Sequence, residues 1–202
     1  MIKIGIVGPR GLATVEGFRS FEDVEITAFC DINEEILNNC AAAYNIPKKY
    51  RVYEDMLESD IDAVLIASPM QCHVPQAIQA IEAGKHVMSE VTAGVTMDEL
   101  WWLLETVEKH DRIYMFAENV CYMPEMQIIS GLVKAGKFGE VYYGEGEYLH
   151  GIPSLAYRPD GRSTWRRFWQ FGKRGNFYPT HSIGPLMQWF GEDRIKSVCC
   201  FG

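Results

Sequence analysis

Residues 63–67 read Ala-Val-Leu-Ile-Ala, an apolar run with none of the polar alternation of a strand that keeps one face in water. Such a strand needs cover on both faces, which a parallel sheet obtains from helices packed above and below it. The flanking sequence supplies them. β-Rich runs at 2–7, 24–30, 49–52, 86–89 and 112–117 alternate with helical spacing at 12–20, 34–44, 53–57, 73–83 and 97–109. Ile36, Leu37, Cys40 and Ala41 share a helical face, and Gly84 ends the fourth helix. The fifth opens on Thr96-Met97-Asp98-Glu99, a capping-box pattern, and carries a stripe of Leu100, Leu103, Leu104 and Val107 that reads as core. This alternation predicts an α/β fold, a Rossmann doubly wound parallel sheet, over residues 1–119.

After Asn119 the rhythm changes. A helix is expected at 124–134, stopped by Gly136, then a long alternating strand at 141–150. Residues 151–176 show no clear element beyond an aromatic and basic patch, and a helix at 181–190 and a strand at 195–201 follow. Two strands and two helices leave the sheet unfinished. Residues 120–202 therefore read as an incomplete α+β domain with an open, mainly antiparallel sheet.

Composition excludes several classes. Of the 202 residues 48% are hydrophobic and 23% charged, which excludes a disordered or fibrous chain. The formal net charge of −8 argues against nucleic acid or an anionic membrane surface as a partner. No apolar run approaches the roughly 20 residues that span a bilayer. The chain passes directly from Met1 into a strand, leaving no room for a signal peptide, and a cytoplasmic location is expected. Cys30, Cys40, Cys72, Cys121, Cys199 and Cys200 are scattered and form no C-x-x-C, so they read as buried or half-buried thiols and no metal is expected.

The turn after the first strand, Gly8-Pro9-Arg10-Gly11-Leu12-Ala13, sits where a dinucleotide fold holds its phosphates. Gly8 and Ala13 fit the outer positions of G-x-G-x-x-G/A, but Arg10 occupies the middle one and the glycine is displaced to Gly11. Pro9 removes an amide donor, for which an arginine paired with phosphate oxygens compensates. Asp31 closes the second strand about 20 residues further on, as expected of an acid that accepts from both ribose hydroxyls. Its other reading is the N-cap of the following helix. Because that acid repels a 2′-phosphate and Ile32 and Asn33 offer no cation, NAD is expected rather than NADP.

Ile4-Gly5-Ile6-Val7-Gly8, Asp31, Ala67-Ser68-Pro69 with His73, and Ala83-Gly84-Lys85-His86-Val87 with Glu90 together resemble the Gfo/Idh/MocA oxidoreductases. The resemblance implies an NAD(P)-binding domain, then a domain whose open sheet carries substrate and subunit contacts, in a dimer or tetramer. The Glu-Lys-Pro triplet of many members is Glu90-Val91-Thr92 here, so its lysine is absent. An acid four residues before a histidine is also common there; His181 matches the histidine, and the acid's position is Phe177. Glu118-Asn119-Val120-Cys121-Tyr122, 144–150 and Gly175-Asn176-Phe177-Tyr178-Pro179-Thr180-His181 are similar to the branch that includes NAD-dependent α-N-acetylgalactosaminidases. There a tyrosine and a histidine matching Tyr122 and His181 act as acid–base groups.

The candidate catalytic residues are accordingly His181, at a helix N-terminus that disfavours its charged form, and Tyr122, expected at an interdomain cleft. Gly8, Arg10, Gly11, Leu12, Asp31, Ser68, Pro69, His73, Glu90 and Asn119 are the candidate cofactor contacts. Glu90 also reads as a loop cap and His73 as a residue of the helix start. Tyr148, His150, Trp165, Arg166 and Tyr178 form the expected sugar-facing set, helped by the long 157–174 segment. The leading functional reading is hydride transfer between NAD and a sugar or polyol. A redox-neutral glycosidase and a non-catalytic NAD- or sugar-binding protein are the alternatives.

Overall fold

The computed structural model describes residues 1–151, 153–173 and 175–201. The chain forms two compact units, Met1–Ala117 and Glu118–Gly202.

The first unit is built on six parallel strands, β1 (Ile2–Val7), β2 (Val24–Cys30), β3 (Lys48–Tyr50), β4 (Ala63–Ile66), β5 (His86–Ser89) and β6 (Tyr114–Phe116). Their order is β3-β2-β1-β4-β5-β6, so the winding reverses between β1 and β4, which pair from Ile4↔Ala63 to Val7↔Ile66. The connecting helices are α1 (Val15–Arg19), α2 (Glu34–Ala43), α3 (Tyr53–Leu57), α4 (His73–Glu82) and α5 (Met97–Lys109). β4 explains why the sheet needs both layers. Val64 and Ile66 enter a core with Val74, Ile78, Ile81 and Leu103, whereas Leu65 enters another with Ile6, Phe29 and Leu37. Each such aliphatic side chain contributes about 1.5–3 kcal/mol by burial. The doubly wound sheet expected from the alternation is present.

Local signals held with three adjustments. Thr96 accepts from the Glu99 amide while the Glu99 carboxylate accepts from the Thr96 amide, completing the capping box of α5. Leu104 is corrected from core to surface at 45% exposure, because the buried face of α5 runs through Leu103 and Thr106. The helix expected at 12–20 begins as a 3-10 turn, Pro9–Thr14, and only Val15–Arg19 is α-helical. Cys30 and Cys121 are buried and Cys40 and Cys72 half-buried, but Cys199 and Cys200 are exposed, against expectation.

The second unit holds α6 (Pro124–Lys134), α7 (Trp165–Trp169) and α8 (Thr180–Phe190), with 3-10 turns at Asn119–Tyr122 and Pro153–Leu155. The open antiparallel sheet is not found among the described residues: 141–150 and 195–201 pair with no strand, and the one bridge joins Tyr157 to Ser163. Alternation describes side-chain faces, whereas a strand also needs a hydrogen-bonding neighbour. The alternation at 144–148 meets a helix instead. A Cβ on Gly144 would lie 2.7 Å from Leu186 and one on Gly146 3.0 Å from Ser182, and the Tyr148 ring centroid is 4.4 Å from that of His181. The segment read as irregular contains a tight turn, with Arg158 and Thr164 donating backbone bonds to Arg162 and Ala156, and then α7. Arg174, at the end of that segment, lies outside the described residues. Among the described residues no helix is long and apolar enough to cross a membrane.

Candidate functional site

In the first unit the expected cofactor residues gather at the carboxyl ends of the strands, where open α/β sheets bind ligands. Gly8 follows β1 with φ 86°, and a Cβ there would stand 2.4 Å from the Ala67 carbonyl oxygen and 2.9 Å from the Ser68 nitrogen. Its amide donates to the Cys30 carbonyl at 3.0 Å, tying the turn to β2. Gly11 is needed for packing, since a Cβ would fall 2.7 Å from Ile6 and 3.1 Å from Leu65. The Leu12 side chain is buried in the core, so only its backbone is open to a cofactor role.

Arg10 points outward, 69% exposed, with Nε 3.7 Å from Glu90 Oε1. An exposed pair at this distance contributes at most about 1 kcal/mol, so the guanidinium is cheaply redirected to a phosphate. Asp31 Oδ1 accepts from the Asn33 amide at 2.8 Å, and Asn33 itself caps α2, accepting from the Glu35 and Ile36 amides. The helix cap is therefore Asn33, not Asp31. Beside Asp31, burial, reinforced by that aspartate's charge, pushes the Cys30 thiol up to about 12.

Other residues of the expected set are occupied within the fold. Ser68 donates to Gln76 Oε1 at 2.5 Å, and Pro69 precedes the 3-10 turn Met70–Cys72. His73 is buried, its ring nitrogens 2.7 Å from the Thr92 carbonyl and 2.8 Å from the Ser68 carbonyl. It thus ties the loop after β4 to the loop after β5. Gly8, Arg10, Asp31 and Glu90 remain the candidate cofactor contacts at these strand ends.

The second unit assembles a different kind of site. His181, in the first turn of α8, places Nδ1 2.6 Å from Glu118 Oε1, and both side chains are 8% exposed. The same carboxylate oxygen accepts from the Val120 amide at 3.0 Å. Tyr178 lies nearly parallel to the imidazole at 5.5 Å and Tyr148 packs on it at 4.4 Å, with His150 5.5 Å from Tyr148. Arg166 and Gln170 donate to the Tyr178 hydroxyl at 3.3 and 2.7 Å, and the Arg166 guanidinium covers the Trp165 ring at 4.3 Å. Tyr148, His150, Trp165, Arg166, Tyr178 and His181 are thus brought together. Tyr122 and Asn119 are exposed on the 3-10 turn after Glu118, and the Tyr122 ring is not among those packed on His181. Burial, aided by the Glu118 charge, raises the Cys121 thiol above its ordinary range.

Sequence reasoning missed Glu118 as the partner of His181. Its motif was visible, but the two residues stand 63 positions apart. The available signal was a lone acid directly after the last strand of the first unit.

Residues 2–118 match the GFO_IDH_MocA family, described as an oxidoreductase family with an NAD-binding Rossmann fold. The chain belongs to this family. Its first unit is an NAD-binding Rossmann domain. A glycosyl hydrolase family 109 protein of Shewanella sp. (strain W3-18-1) is 34% identical over 209 residues, covering 96% of this chain and 45% of that protein. The chain thus spans about half the length of the curated relatives it matches. The oxidoreductase domain protein of Kribbella flavida superposes with a TM-score of 0.79 at 23% identity, covering 94% of this chain and 54% of that one. The scyllo-inositol dehydrogenase of Lactobacillus casei, solved with bound NAD(H) and scyllo-inositol, gives 0.74 at 23% identity, with 94% and 56% covered.

Proposed function

We propose that this chain belongs to an NAD-dependent oxidoreductase that acts on a sugar or polyol by hydride transfer. The carrying observation is Asp31. The acid following β2 accepts from the Asn33 amide and leaves the capping of α2 to Asn33. It follows Cys30, whose carbonyl holds the Gly8 turn at the reversal of the sheet. A carboxylate there accepts from ribose hydroxyls and repels a 2′-phosphate, favouring NAD over NADP. Gly8 makes the tight turn after β1 that the crowded Ala67 backbone requires, and Arg10, exposed in that turn, is the proposed cation for the phosphates. NAD, when bound, supplies the hydride acceptor.

The chain's own residues handle the proton. His181 is the base that takes the hydroxyl proton of the substrate carbon being oxidised. Tyr148 and Tyr178 offer ring faces and hydroxyls suited to a polyhydroxy ring, with Trp165, Arg166 and His150 completing the set. Tyr122 remains the second candidate acid–base group, and a homodimer or homotetramer is the proposed assembly.

The relative named for glycoside hydrolysis favours a second reading, in which oxidation, elimination, hydration and reduction cleave a glycoside without net redox change. Incubating the protein with NAD and a panel of sugars, polyols and aryl glycosides separates the two. Accumulation of NADH supports the first, and release of free sugar without NADH supports the second. NAD binding with no product from any compound would favour a binding protein. His181→Ala is expected to lower kcat by about 10²–10⁴ while leaving the Kd for NAD unchanged, as measured by calorimetry. Full activity in that variant would remove His181 from the chemistry.

A further inference from the structure

We infer that Glu118 is the positioning residue that holds His181 with its proton on Nδ1 and its lone pair on Nε2. The inference rests on the reading of His181 as a proton acceptor. A neutral imidazole carries one N–H, and its other nitrogen is the only one able to accept a proton. Glu118 Oε1 stands 2.6 Å from Nδ1, and an ionised carboxylate only accepts, so the ring must donate through Nδ1. The proton-accepting atom is then Nε2, for which no hydrogen-bond partner is found among the described residues. The same division of labour between a carboxylate and a histidine base recurs on unrelated enzyme folds.

Capping does not account for Glu118. Its carboxylate does accept from the Val120 amide and caps the short 3-10 turn, but any small polar residue at the surface would do so. Glu118 is instead 6% exposed, and its second oxygen is buried without a partner among the described residues. Burying a carboxylate so incompletely bonded is costly, and a charge-assisted bond to His181 is what it obtains. The approach is also built into α8. A Cβ on Gly184 would stand 3.0 Å from Glu118 Cγ and 2.9 Å from Cys121 Sγ, so the absent side chain is what lets that helix close on the acid. The acid expected four residues before His181 is Phe177, and Glu118 supplies a carboxylate from another part of the chain.

The test is nitrogen-15 NMR of the His181 ring in the full chain, followed over pH so that the tautomer is read from the spectra of the neutral ring. The wild type is expected to carry the Nδ1–H tautomer. Glu118→Ser, which still caps Val120 but is too short to reach the ring, should move the ring to the Nε2–H tautomer. Glu118→Gln, whose amide oxygen still accepts, should keep Nδ1–H. With an active substrate, Glu118→Ser should lower kcat by about 10²-fold or more, with little change in KM. A wild-type ring protonated on Nε2, or a tautomer unmoved in Glu118→Ser, overturns the inference. The tautomer is read without turnover, so a failure of the oxidoreductase reading leaves it measurable. An active Glu118→Ser variant with the wild-type tautomer removes Glu118 alone.

Discussion

The two units assemble their candidate sites by opposite means. In the first, the site is backbone: turns at the ends of parallel strands, a glycine with positive φ and an acid closing β2, all placed by one ladder of hydrogen bonds. In the second no ladder exists among the described residues, and side chains from three separated stretches converge on one imidazole. A site made of strand ends inherits the rigidity of its sheet. A site made of converging side chains depends on each packing contact that brings them together, and is correspondingly easier to disable without unfolding the chain.

Substitutions at three positions sharpen this contrast. Gly8→Ala should have the largest effect, because a Cβ meets the Ala67 carbonyl at 2.4 Å in a conformation that side chains rarely adopt. A loss of about 3 kcal/mol in urea denaturation is expected, together with loss of NAD binding. Gly184→Ala should cost about 1–3 kcal/mol by overpacking against Glu118 and Cys121. It should lower turnover more than it lowers affinity for NAD, and equal losses of both would blur the division between the two sites. Thr96→Ala removes one side of the capping box on α5 and should cost about 1 kcal/mol with NAD affinity unchanged, measured by calorimetry at matched temperature. A loss of binding there would mean that local helix stability reaches the nucleotide end of the sheet.

How far the sequence could be read follows the same line. Alternating apolar runs, the glycine turn, Asp31 and the Thr96 capping box are local or periodic signals, and they were enough to read the doubly wound sheet and to nominate its candidate cofactor end. Leu104 misled because a helical stripe leaves the centre of the buried face uncertain by about one residue, or 100°. The alternation at 141–150 correctly marked a segment with distinct faces, yet pairing is a property of neighbours, which a single segment does not encode. Glu118 and His181 show the same limit. Neither residue carries a periodic signal toward the other, and only the packing of α8 on the turn after Glu118 joins them.

The crowding of Gly8 against Ala67 alters what that glycine can be taken to report. Its smallness is demanded by the neighbouring strand whether or not a nucleotide ever arrives, so a descendant that abandoned redox chemistry would still be obliged to retain it. Position 31 is crowded by no such backbone contact: its carboxylate accepts from the Asn33 amide, and Asn33 caps the helix. Among sequences of this type, the residue at position 31 is therefore the better forensic marker of a surviving coenzyme habit.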